Sequence, residues 1–318
     1  MSAISELSKL STRRALSPED RAARRKEASR DNKAGYLFLL PWLVGLFAFT
    51  LGPMLASLYL SMTDYNLIQT PSFIGLDNYA RMLDDARLHQ SLRVTFTYVV
   101  VGVPLQLAFA LAIALLLDKG MRGLPIYRSI FYLPSMLGGS VAIALLWRQI
   151  FGTTGLVNQV LQLFGVPATT GYVSDPQYAL WTLILLHVWT FGSPMVIFLA
   201  GLRQIPTMYY EAASLDGAGR LKKFLTITMP LLSPIVFFNL VLQIIGAFQS
   251  FTQAYVVSNG TGGPSDSTLF FTLYLYERGF TNFQMGYASA MAWVLLVILA
   301  AFTAINFFAA KYWVFYDD

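Results

Sequence analysis

Six apolar runs, near 36–62, 92–117, 128–150, 178–202, 231–257 and 286–310, alternate with polar segments along the chain. Each reaches the roughly 20 residues that a helix needs to cross a ~30 Å hydrocarbon layer. The pattern predicts an all-α fold, a polytopic helical membrane protein with six transmembrane helices. Pro41, Gly52-Pro53, Pro104, Pro134, Gly138-Gly139, Gly192 and Pro194 punctuate the runs. Within a membrane, neighbouring helices satisfy the backbone groups such residues free, so kinked, closely packed spans are expected.

Composition strengthens this reading. The 318 residues are 56% hydrophobic and 12% charged, against about 25% charged in soluble domains. The apolar run near the N-terminus is too long for a signal-peptide core.

Charge then orients the spans. Seventeen Lys and Arg fall before span one, between spans two and three, between spans four and five, and after span six; only Arg81, Arg87, Arg93, Arg148 and Arg278 fall on the other side. By the positive-inside rule the first side is cytoplasmic, as are both termini. The net charge of +5 therefore reflects topology and does not point to nucleic acid. Residues 1–35 read as a basic cytoplasmic N-terminal arm suited to anionic membrane lipid.

Chemistry for catalysis is sparse. There is no cysteine, and the two histidines, His89 and His187, have no HExxH, GxSxG or acidic metal cluster around them. No catalytic residue, metal site or cofactor is expected in this chain. The glycine-rich segment 259–264 lacks the lysine of a phosphate-cradling loop, so any ATPase must be another chain. A self-sufficient secondary transporter or channel is the alternative. It needs intramembrane acids or an inverted repeat, and the spans offer no obvious Asp or Glu at depth.

Polar residues inside the spans mark candidate solute contacts. In span five Asn239, Gln243, Gly246, Ser250 and Gln253 recur at helical spacing on one face. Such a stripe suits a solute path or interhelical hydrogen bonds. His187 fits either a hydrogen-bonded bundle interior or a ligand-facing site. Trp181, Trp189 and Phe191 with Thr190 and Ser193 combine flat apolar faces with hydroxyls, which suits a sugar ring, and with no Lys or Arg deep in a span a neutral polyhydroxyl solute is favoured.

The hydrophilic loop 203–230 carries Arg203, Glu211, Asp216, Arg220, Lys222 and Lys223. Helix formers after Pro206, a stop at Gly217 and a basic segment 219–226 predict helix, turn, helix. Its run Glu211, Ala212, Ala213, Gly217, Ile227 and Pro230 resembles the EAA loop, EAA-x3-G-x9-I-x-L-P, of permease subunits in bacterial binding-protein-dependent ABC importers, with Met229 in place of leucine. Phe73-Ile74-Gly75-Leu76-Asp77-Asn78-Tyr79, Tyr127-Arg128 with Phe131-Tyr132-Leu133-Pro134, Ala200-Gly201-Leu202 and Thr261-Gly262-Gly263-Pro264 are similar to permeases of maltose-type and glycerol-phosphate-type importers.

The resemblance implies a type I ABC importer permease fold over 36–318, in the bacterial cytoplasmic (inner) membrane. It also implies a second homologous permease, two ATPase subunits and an extracytoplasmic solute-binding protein that delivers a sugar. Glu211, Ala212, Ala213, Asp216, Gly217 and Arg220 would then couple to the ATPase. His187, Trp189, Gly192, Gln243, Gly246, Ala247 and Ser250 would contact the solute.

Overall fold

The computed structural model describes residues 35–120, 123–165 and 171–315; the N-terminal arm lies outside the described residues, apart from Gly35. The chain divides into two units, one ending at Tyr59 and the other beginning at Leu60. Among the described residues all but an isolated Thr63–Phe73 bridge is helix, turn or loop.

Helix α1 spans Gly35–Ser61. A π-turn, Phe47–Leu51, sits just before Gly52-Pro53, and the Gly52 N–H donates to Phe47 O. Proline has no N–H and crowds the turn before it, which favours this wider register. Many aromatic and aliphatic side chains of the first unit, Phe38 and Phe49 among them, are exposed.

The second unit is built on α3 (Ala86–Asp118), preceded by α2 (Asp77–Asp84). Asp85 caps α3 by accepting from the Arg87 and Leu88 N–H groups. With 33 residues α3 is ~50 Å long. Its buried positions Gly102, Gln106, Ala110 and Ala114 repeat every fourth residue and are mostly small. That spacing lines one face and lets neighbouring helices approach closely. Pro104 does not break it.

After α3 come α4 (Leu124–Leu137), α5 (Val141–Ile150), α6 (Leu156–Leu163), α7 (Ala179–Trp189) and α8 (Gly192–Leu202). Then follow α9 (Thr207–Leu215), α10 (Arg220–Lys223), a second π-turn at Phe224–Thr228, α11 (Met229–Phe248), α12 (Thr252–Val257), α13 (Phe271–Tyr276) and α14 (Met285–Trp313). Helices α7, α8, α11 and α13 pack on α3, and α14 packs on α11. Phe96, Phe248 and Phe302 join α3, α11 and α14 through ring contacts of 5.2–5.6 Å.

Among the described residues four helices, α1, α3, Arg220–Val257 and α14, are long and apolar enough to cross a membrane alone. The other two predicted spans are bent pairs: α7 and α8 meet at 41°, and α4 and α5 at 95°. The expectation of a merely kinked third span is corrected here. Gly138-Gly139-Ser140 turns a corner, and the Ser140 hydroxyl accepts from the Ile143 N–H to start α5 afresh.

Candidate functional site

The helical hairpin of loop 203–230 begins as the sequence predicts, with one adjustment. Pro206 is extended (φ −62°, ψ 133°) and precedes the helix, which starts at Thr207. Gly217 takes φ +74°, a left-handed conformation that favours glycine. The Gly217 and Ala218 N–H groups donate to Ser214 O and Ala213 O and close α9. No residue of α9 is buried. Glu211, Ala212, Asp216, Gly217 and Arg220 lie on the exposed surface, and Ala213 is half-buried. Leu215 is 90% exposed at the hairpin tip, with Leu221 and Met208 also bare. Apolar side chains at the end of a charged hairpin form a surface without a partner among the described residues. An exposed 3.7 Å ion pair, Arg203 to Asp118, puts this loop at the Asp118 end of α3.

Nearer the middle of the bundle, the two helix corners meet. Side chains from neighbouring spans bond the carbonyls freed at the α7–α8 break. Gln106 Nε2 donates to His187 O, Thr190 O and Thr190 Oγ1 at 3.0–3.1 Å. Ser135 Oγ donates to Thr190 O and accepts from the Ser193 N–H. Across the knot, Gln253 Nε2 donates to Gly138 O. A Cβ on Gly138 would come within 2.1 Å of Thr190 Cγ2, so this close approach requires glycine. Gln106 and Ser135 were not singled out in the sequence. The available signal was their polarity within apolar runs, which directs such side chains towards the bundle interior.

The predicted solute contacts fall into different settings. His187 packs beside Gly102 and Tyr98, with ring centroids of His187 and Tyr98 5.2 Å apart. Its Nε2 and Gln106 Oε1 are buried polar atoms with no hydrogen-bond partner among the described residues. Trp189 lies 5.9 Å from Trp147. Gly192 faces α4 so closely that a Cβ would meet Phe131 O at 2.4 Å and Tyr132 Cα at 2.7 Å. Ala247 is buried, Gln243 and Ser250 are half-buried, and Gly246 is exposed with open space beside it.

The five-residue stripe of span five is not one helical face. Helix α11 ends at Phe248, the chain breaks at Gln249–Phe251, and Ser250 O accepts from Thr272 Oγ1. Asn239 is fully buried and donates to Ile235 O of its own helix. The exposed positions of this segment are Phe238, Leu242, Gly246 and, just past the helix end, Gln249.

At the opposite end of α3, Asp85 anchors a polar network. Its carboxylate accepts from the hydroxyls of Tyr274 and Tyr287 at 2.7–3.0 Å and pairs with Arg278 at 3.2 Å. Burial pushes the carboxyl upward. The tyrosine hydroxyls, the Leu88 N–H and the Arg278 charge outweigh it and hold Asp85 below the ordinary carboxylate value. Burial and the neighbouring Asp85 raise the Tyr274 phenol to about 12. Beside this network Arg87 joins Asp266 at 2.9 Å and Glu277 at 2.6 Å.

Residues 87–313 match the family described as binding-protein-dependent transport system inner membrane component. A probable ABC transporter permease protein, YesP of Bacillus subtilis, is 54% identical over 94% of this chain and 97% of its own length. The lactose transport system permease protein LacF of Rhizobium radiobacter is 32% identical over 87% and 94%. Among solved structures, a chain of a bacterial alginate ABC transporter, in complex with an alginate pentasaccharide-bound periplasmic protein, superposes with a TM-score of 0.76. That match has 20% identity and covers 90% of this chain and 96% of that one, a likeness of fold.

Proposed function

This chain belongs to the family of binding-protein-dependent transport system inner membrane components, and on that premise we propose which of its surfaces meets the motor and which meets the cargo. It is a permease subunit of an ABC importer, and ATP hydrolysis belongs to a separate chain. Its cargo is a sugar, delivered by an extracytoplasmic binding protein, and a second homologous permease completes the pathway. The lactose permease among its relatives supports the sugar assignment. The positive-inside count supports a cytoplasmic hairpin and cytoplasmic termini.

The observation that carries the motor assignment is the exposure of α9 and its turn, with Leu215 and Leu221 bare beside Glu211, Asp216 and Arg220. A helix with no buried residue, tipped by Leu215, with Leu221 bare beyond the turn and both signs of charge nearby, is suited to insertion into a groove of a soluble subunit. Closure of paired ATPases would then drive the hairpin and open the path to the other side, and hydrolysis would reset it. His187, Trp189, Gln243, Gly246 and Ser250, with Gly192 and Ala247 shaping the backbone around them, line the cargo side of this account.

Glu211→Lys and Gly217→Pro test the motor assignment. Both chains reach the membrane, lose the co-purifying ATPase, and abolish uptake of the sugar that the neighbouring binding protein holds. Normal uptake in both variants overturns it.

A further inference from the structure

Two side-chain rungs join α9 to the chain that returns towards α11. Lys223 Nζ donates to Ser214 Oγ at 2.5 Å, and the Tyr210 and Thr228 hydroxyls lie 2.9 Å apart. The rungs are four residues apart on α9 and five apart on the returning chain. The π-turn Phe224–Thr228 takes up the additional residue and keeps both rungs on the side facing α9. Pro230 favours that π-turn: it offers no N–H of its own, and the Met229 N–H reaches back to Phe224 O. The first rung is near water. The second is sheltered, with Thr228 buried, Tyr210 half-buried and Ile227 packed against the core.

The covalent route from α9 to α11 runs alongside this second rung. It passes through Asp216-Gly217-Ala218-Gly219, and beyond their chain neighbours neither glycine has an atom of the described residues within 4 Å of where a Cβ would stand. Two glycines in open space leave the turn compliant. A sheltered hydrogen bond between two packed segments resists displacement where such a turn yields.

We propose that Tyr210 and Thr228 are a positioning pair that carries displacement of α9 into α11, bypassing the glycine turn. The proposal rests on the reading of α9 as the ATPase-docking helix. The pair acts through α11 on the exposed positions Leu242 and Gly246, and its register depends on the π-turn that precedes Pro230.

Tyr210→Phe and Thr228→Val each delete one end of the bond at nearly constant volume. The assembled transporter, purified through a tag on this chain and reconstituted in nanodiscs with its binding protein, is probed with Mg-ATP and vanadate. The cysteine-free chain accepts single spin labels at Met208→Cys on α9 or Leu242→Cys on α11. In both variants the Met208 label still responds to nucleotide. The responding fraction at Leu242 falls about fivefold, the factor that ~1 kcal/mol represents. Because both substitutions remove one shared bond, the double variant loses no more than either single. A full Leu242 response in either variant, or additive losses in the double, overturns the proposal. A Met208 label indifferent to nucleotide in the unsubstituted chain overturns instead the docking reading on which it stands.

Discussion

Replacing Gln106 and Ser135, singly and together, tests whether the α7–α8 break is held by side chains from neighbouring spans. Gln106→Leu removes an amide that has two N–H bonds to share among His187 O, Thr190 O and Thr190 Oγ1. At ~0.6 kcal/mol per bond inside a membrane bundle, the loss is about 1 kcal/mol. Two features reduce it. Gln106 Oε1 is buried without a partner, and leucine removes that atom. His187 O also keeps the Thr190 N–H and hydroxyl, and Thr190 O keeps Ser135.

Ser135→Ala instead deprives the Ser193 N–H of its acceptor, a cost of about 1–3 kcal/mol. Only the double variant strips both side-chain donors from Thr190 O. A carbonyl without a partner at membrane depth makes the double variant worse than the sum of the singles, by roughly 1–3 kcal/mol. Thermal unfolding in mild detergent, followed by tryptophan emission, reads the three values. Additivity of the singles within ~0.5 kcal/mol refutes the shared clamp.

Other expected outcomes are these. Asp85→Asn lowers stability at neutral pH by about 2–3 kcal/mol, since it weakens charge-assisted bonds in a mostly buried site. Because the folded carboxyl titrates below its unfolded value, its contribution is present above about pH 4 and is lost as pH falls through the folded value. Acid scans of melting temperature therefore show that component in the native chain and not in Asp85→Asn. Gly192→Ala forces α8 away from Phe131 O and Tyr132, with a cost of about 1–3 kcal/mol read by the same melting assay. Asp118→Asn, at an exposed pair, leaves the melting temperature nearly unchanged, within the ~0–1 kcal/mol range of surface ion pairs.

The long helices were readable from hydropathy because their signal is local: α3 and α14 cover the runs at 92–117 and 286–310. The hairpin was readable from Pro206 and Gly217, whose backbone preferences hold without tertiary help. The corner at Gly138 was not, because the run 128–150 stays apolar across it. Its bend depends on Thr190 pressing against Gly138 and on Gln253 reaching Gly138 O from a distant segment. The same limit affected the span-five stripe. Helical spacing placed Ser250 and Gln253 in line with Asn239, whereas the chain leaves the helix after Phe248. At Glu211 to Gly217 the local shape, a helix closed by a glycine turn, was legible in the sequence. It was less so around His187, whose surroundings are set by Gly102 and Tyr98 of another helix.

The most direct test of the permease account uses a cysteine at Leu215, the bare tip of the hairpin, in a chain with no other cysteine. A short thiol-anchored photo-cross-linker is attached in native membranes, irradiated, and the adduct identified by mass spectrometry. The account predicts an adduct with a nucleotide-binding ATPase subunit, lost when Glu211→Lys is added. Adducts only with lipid or with extracytoplasmic proteins contradict it.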